Sequence, residues 1–317
     1  MEGLLALLCW LSRTDYKHPP TKKCSNKLTT QVTKSLHMVS KKIIVWLVLL
    51  SAAFLMNSCS IERTLAKEFI ETRDSLSVLL LMPEYIFKSN LKSQDIDNFD
   101  QLDEFQQDSA LFFNSLFLKE IDDSFLLSQF ENGLSSGLQQ YGITVFTENQ
   151  LLDFMGLSSA SYKVMIAQME IEEDIYPYRA EAVFYDTVYY YEDFNLNRIN
   201  LNTWFEVVRM NDPAADNHLL YSSHYTMDGL EGRFVNNVFT GDVRFHYNLS
   251  PVTIEDIYTL AFNLGKKYAG YLYDYFLNEY IYRNYPRGER PKAFYTYNPQ
   301  TRSVSPAGND RFIFMEK

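Results

Sequence analysis

Downstream of residue 58 the chain holds three histidines, His218, His224 and His246, and one cysteine, Cys59. That supply is small for metal or nucleophilic chemistry. No HExxH, CxxC, phosphate loop or GxGxxG is present, so no cofactor and no catalytic function are expected. The set best spaced for a cation is His224, Asp228, Asp242 and His246, because two strands joined by a turn can bring both imidazoles beside two carboxylates. The commoner use of lone strand histidines is as hydrogen-bonded core or surface groups. Glu172, Glu173 and Asp174, with Glu181 or Glu206 as a second acid, offer the paired carboxylates of glycoside hydrolysis, which stand roughly 5–9 Å apart. Acidic triplets at strand ends are more often a solvated face. Tyr185, Tyr189, Tyr190 and Tyr191 are able to stack on a sugar or a peptide. Strand alternation puts Tyr189 and Tyr191 on one side and Tyr190 on the other, so one side is expected in the core. The acidic stretch 89–108 reads as a solvated loop or helix start in preference to a cation site.

Cys59 carries the most specific chemical signal. Lys41 and Lys42 precede an uncharged run at 43–56, IIVWLVLLSAAFLM, which Asn57, Ser58 and Cys59 follow directly. A basic start, an apolar stretch of export length and a small residue before the break form a secretory signal. A membrane span needs about 20 apolar residues, more than this run supplies. Leu55-Met56-Asn57-Ser58-Cys59 resembles the bacterial lipobox at the cysteine and at the small residue before it. The resemblance implies cleavage after Ser58 and diacylation of the Cys59 sulfur. Met38 lies three residues ahead of Lys41, so translation is expected to start there, with 1–37 an extension, 38–58 the signal peptide and 59–74 a polar tether. Cys9 and Cys24 fall in the extension, which leaves the mature chain one thiol and no internal disulfide.

Charge separates the leader from the body. Residues 1–58 contain eight of the 29 Lys and Arg but only Glu2 and Asp15 of the 40 acids, leaving 21 basic against 38 acidic residues and a net of −17. A body so acidic repels phosphate backbones, which argues against nucleic-acid binding. Ser60-Ile61-Glu62-Arg63 lacks the acidic cluster of surface-export signals, which favours the periplasmic face of the outer membrane.

The elements that must position these residues follow from periodicity. The run SVLLLM at 77–82, stopped by Pro83, predicts a central strand buried on both faces. A helix opens at Ser124, carries Phe125, Leu126, Phe130, Leu134 and Leu138 on one face and stops at Gly142. A strand at 143–146 leads to a capping box of Thr147 and Gln150, a short helix through Leu151, Leu152 and Met155 ending at Gly156, and a strand at 162–171. This order predicts an α/β layer with partly parallel strands. Runs at 182–191, 202–210, 219–225 and 234–247 predict an antiparallel meander with turns at Asn211-Asp212-Pro213, Asp228-Gly229 and Gly241-Asp242. A last helix opens at Thr253, boxed with Asp256, and runs to about Arg283; Ile254, Ile257, Ala261, Leu264, Tyr268, Leu272, Tyr275 and Phe276 form its apolar stripe. One mixed α/β domain is therefore expected over 75–283, its mixed sheet flanked by helices. The proline-containing tail 284–317 is expected to be extended or disordered, with RFIFM at 311–315 the stretch able to dock as a strand.

The run at 77–82, the helix ending in Leu138-Gln139-Gln140-Tyr141-Gly142 and the strand at 143–146 together resemble the TolB N-terminal-like domain of envelope lipoproteins, transport-auxiliary lipoproteins included. The meander and DYFLNEYI at 274–281 look like uncharacterised lipoproteins of Bacteroidetes-type bacteria. Both resemblances imply an envelope protein without catalysis; joined to the lipid address at Cys59 and the lack of catalytic motifs, they give the expectation of a lipid-anchored outer-membrane protein that binds an envelope protein partner. The alternative expectation is a glycan-binding module or glycoside hydrolase, supported by the aromatic content.

Overall fold

A computed structural model describes residues 61–72, 76–157, 161–210, 217–308 and 311–315. The expected extension and signal peptide, the expected cleavage and lipidation positions Ser58 and Cys59, and the expected turn at 211–213 lie outside the described residues. The mixed α/β class expected from the sequence is present, with a mixed sheet and a long C-terminal helix.

The central run forms β1 (Ser77–Leu81), whose first four residues are buried. It pairs in parallel with β3 (Thr144–Phe146) on one side and with β4 (Ser161–Phe184) on the other. Being covered on both faces and both edges is why its sequence is a continuous apolar run without alternation. β2 (Phe87–Asn90) continues along the same edge of β4, also parallel. β5 (Thr187–Arg209), β6 (His218–Met227) and β11 (Ile313–Met315) extend the sheet antiparallel, in the order β11-β6-β5-β4-β1-β3.

The longer helices cover one face, and one short helix packs on the other beneath β1. α2 (Glu104–Phe113) opens on a capping box of Asp103 and Gln106 beside β2. α3 (Asp123–Gln140) starts one residue before the expected Ser124, because Asp122 accepts the hydrogen bond from Phe125 N. Gly142, at φ 82°, turns the chain into β3. The Thr147–Gln150 box precedes α4 (Leu151–Met155), but Leu151, Leu152 and Met155 are exposed and Phe154 is the residue that packs under β1. Only one side of so short a helix meets the sheet, and it is the side of Phe154. α5 (Ile254–Asn284) opens on the expected Thr253–Asp256 box. Its stripe packs on the sheet, Phe276 stacking on Tyr162 and Tyr268 meeting Phe205 edge-on. α3 and α5 approach closely because glycines face carbonyls at their crossing: a Cβ on Gly265 would lie 2.2 Å from Phe130 O, and one on Gly133 2.1 Å from Phe262 O.

Four expectations need correction. The segment read as a tether is α1 (Ile61–Thr72), which buries Glu62, Ala66 and Phe69 against α5 and the tail. The buried Glu62 masks this short stripe in the sequence; its carboxylate accepts from Lys292 N at 3.0 Å and Tyr285 Oη at 3.3 Å. The tail is ordered: β9 (Phe294–Asn298) and β10 (Ser303–Ala307) form a hairpin, and β11 pairs with β6 as the alternation of RFIFM allowed. β9 is held on α5 by Asp274, which accepts from Tyr297 N, and by Asn278, which exchanges two bonds with the Tyr295 backbone. The run 182–191 is not one strand but the tip of the β4–β5 hairpin, reversed at Tyr185 and Asp186, both at positive φ. The run 234–247 is likewise split into β7 (Gly229–Asn236) and β8 (Val243–Ser250), a separate two-stranded ribbon.

Candidate functional site

The carboxylates proposed for sugar hydrolysis do not share a site. Alternation along β4 sends Glu173 to the helix-covered face, while Glu172 and Asp174 point to the other. Glu173 is 0% exposed, accepts from Leu116 N at 2.8 Å and Phe117 N at 3.0 Å, and pairs with the Lys92 ammonium, itself 5% exposed. Asp174 binds the Arg198 guanidinium through both oxygens. Glu206 accepts from Lys163 and Asn217, and Glu181 is exposed near the hairpin tip.

The proposed cation set is dispersed in the same way. Asp228 is buried and accepts from Asn197 N, Asn197 Nδ2 and Val252 N at 2.8–2.9 Å, tying β5 to the chain entering α5. Its lone pairs are spent on structure. His224 sits at the α5 interface, its Nε2 2.5 Å from Lys267 Nζ and its Nδ1 3.1 Å from Tyr268 Oη. Burial and the lysine charge hold this imidazole below its ordinary pKa, so the ring is neutral. Lys267 then donates to Nε2, which places the imidazole proton on Nδ1, toward Tyr268. His218 meets Tyr275 Oη on the same helix. His246 and Asp242 lie on the β7–β8 ribbon and line a shallow cleft of about 450 Å³ with Val235, Asn237 and Arg244. Among the described residues no group of three or more His, Cys, Asp and Glu side chains is arranged to hold a metal.

Two surfaces are left. The first is the sheet face that α3 and α5 do not cover, where Trp204 packs on Tyr221 with ring centroids 4.8 Å apart and Tyr221 Oη donates to Asn202. Arg198 lies over Tyr176 and Tyr225 on this face. At its far side the ladder of β4 with β1 and β2 is interrupted between Leu81 and Phe87, opposite a bulge at Ala167. The gap opens a cleft of about 390 Å³ lined by Met82, Pro83, Tyr85, Met165 and the exposed carboxylates Glu84 and Glu148. It stands beyond the carboxyl ends of the parallel strands, the position at which open α/β sheets commonly bind ligands.

The second surface is an arm. β6 pairs with β5 no further than Met227 opposite Arg198, and β2 leaves β4 at Glu173. Beyond those points β4 and β5 continue as a hairpin for about ten residues, roughly 35 Å. The β7–β8 ribbon starts beside Asn197 and stacks on one face of this hairpin, Phe194 meeting Phe245 and Tyr247 at 5.6 and 4.9 Å. Both hairpin tips therefore project in one direction. Tyr185 at one tip is 87% exposed and Phe239 at the other 94%. Tyr189, Tyr190 and Tyr191 are all exposed as well, so neither side of this tyrosine run is core. The expected core side is absent because the helices end before the arm begins. The other face of the arm carries the bidentate Arg179–Asp193 pair, with the guanidinium 4.3 Å over the Tyr191 ring. The length of the arm was not visible in sequence, although the tyrosines at its tip were singled out.

No protein-family model and no curated relative matches the sequence. A solved structure from Helicobacter pylori, described as a neuraminyllactose-binding hemagglutinin homologue, aligns with 65% of this chain and 89% of its own at 13% identity, with a TM-score of 0.26. At that score the likeness does not establish a shared fold.

Proposed function

We propose that this protein is a non-enzymatic envelope lipoprotein, anchored through Cys59 at the periplasmic face of the outer membrane, which binds a protein partner through the projecting arm. The observation that carries the binding part is the arm itself: exposed aromatic side chains gather on the outer stretches of β4 and β5 and on the β7–β8 ribbon, none of which contributes to the body's core. The carboxylates and histidines suited to catalysis, by contrast, are mostly tied to structural partners.

The geometry also fits an anchor at the opposite end. α5 begins beside Asp228 at the base of the arm and, with 31 residues, runs about 46 Å to its far end. There Glu62, at the start of α1, meets Tyr285 and Lys292. A lipid on Cys59, two residues ahead of Ile61, would hold this end at the membrane and direct the arm away from it. Metabolic labelling with a palmitate analogue tests the address. Label on the wild-type chain and none on Cys59→Ala is expected, with the variant released from the membrane fraction; equal membrane retention of the variant would refute it.

The open sheet face supports a second reading as a glycan-binding module, because Trp204 and Tyr221 form an aromatic platform bordered by Asn202. Titration of Trp fluorescence with host and bacterial oligosaccharides tests it. Saturable quenching abolished in Trp204→Ala supports the reading, and an unchanged signal across the series removes it.

A further inference from the structure

The two long edges of the arm differ. Leu91 N donates to Glu173 O, which fixes the odd-numbered residues of β4 near that point as those whose peptide groups face the outer edge. Pro177 is one of them and offers no N–H there, so this edge is poorly suited to accept another strand. On β5, Asn197 N donates to Asp228 Oδ2 and Asn197 O accepts from Asp228 N, so Asn195, Asp193 and Tyr191 turn their peptide groups to the side that β6 has left. Among the described residues no strand lies on that side of β5 from 187 to 195. That stretch has no proline and carries Val188, Tyr189, Tyr190 and Tyr191 exposed on its two faces.

We infer that this β5 edge pairs antiparallel with the same edge of a second copy of the chain. The stretch from 187 to 195 is centred on Tyr191. A two-fold axis there keeps the new ladder clear of the β5–β6 pairing, which starts at Arg198 in each copy. It sets Tyr189 of one copy against Asp193 of the other, and Tyr190 against Glu192, so the two acidic residues never face a like charge. An axis one residue further along would oppose Glu192 to itself, and one two residues further would oppose Asp193 to itself. The bulge at Tyr189, between the pairs Ala182/Tyr190 and Val183/Val188, confines the regular ladder to the residues around Tyr191. The rings of Tyr189, Tyr190 and Tyr191, solvent-facing in one copy, are covered in the pair. This inference rests on reading the arm as the binding surface and not on lipidation.

The test uses the full chain in detergent, with Cys9, Cys24 and Cys59 changed to serine. Sedimentation velocity is expected to give twice the chain mass, and Tyr191→Pro, which removes an edge N–H without touching the β4 ladder, the single-chain mass with an unchanged circular dichroism spectrum. In the same background Tyr191→Cys is expected to form a disulfide-linked dimer under mild oxidation, whereas Asn149→Cys on the body does not. A single-chain mass for the parent, rings or larger species in its place, or failure of Tyr191→Cys to cross-link would each overturn the inference. Should Tyr191→Pro not fold, the cross-linking result decides. Palmitate labelling is unaffected by any of these outcomes, so failure of the pairing and failure of the address are separable.

Discussion

Replacing Glu173 by alanine provides the sharpest test of how this structure uses its carboxylates. The side chain is wholly buried on β4 and accepts from Leu116 N, Phe117 N and the Lys92 ammonium. Glu173→Ala leaves a buried cation without its counter-charge, which costs about 3–5 kcal/mol. It also orphans two backbone N–H groups, at roughly 1–3 kcal/mol each. Even with partial water entry the total is of the same order as the ~5–15 kcal/mol that holds a whole domain folded. Glu173→Ala should therefore fold poorly or show a large fall in the midpoint of urea denaturation at pH 7 with the slope unchanged. Glu173→Gln with Lys92→Met removes both charges, keeps an acceptor for the loop and should lie close to wild type, since exchanging a buried pair for neutral groups of similar volume is often neutral or stabilising. An alanine variant within about 1 kcal/mol of wild type, or a double variant worse than the single one, would refute the assignment of Glu173 as the anchor of the 115–117 loop.

Three further outcomes are expected. Gly265→Ala, whose new methyl would meet Phe130 O at 2.2 Å and Leu134 N at 2.6 Å, should force α3 and α5 apart and cost about 1–3 kcal/mol or more by thermal denaturation, whereas Gly308→Ala, with open space around it, should not. Burial raises the Asp274 carboxyl to about 6, so between its ordinary value of 3.8 and 6 the folded chain holds a proton that the unfolded chain has released. The stability linked to this proton is complete below about pH 4 and is lost as pH rises through about 6, by roughly 3 kcal/mol, a slope that Asp274→Asn should flatten in pH-dependent denaturation. Asp186→Gly at the arm's tip relieves a positive φ of 59° and should raise the melting temperature by an amount equivalent to roughly 1 kcal/mol, with no change in the far-ultraviolet spectrum.

What could be read from the sequence alone was whatever neighbouring residues decide. The buried run of β1, the Thr147–Gln150 and Thr253–Asp256 boxes and the stripe of α5 are local patterns, because capping and periodicity act over a few adjacent positions. Tertiary structure decided the uses of single polar residues. Glu62 closes α1 onto Lys292 across 230 positions, Asp274 and Asn278 serve as an edge for β9, and Glu173 turns inward to Lys92. No short window distinguishes such residues from a solvated acid, since their partners are distant in sequence and burial is a property of the packed whole. The tyrosines of the arm show the reverse case. Alternation promised them one buried face, but burial requires a covering layer, and the helices that supply it stop at Asp228.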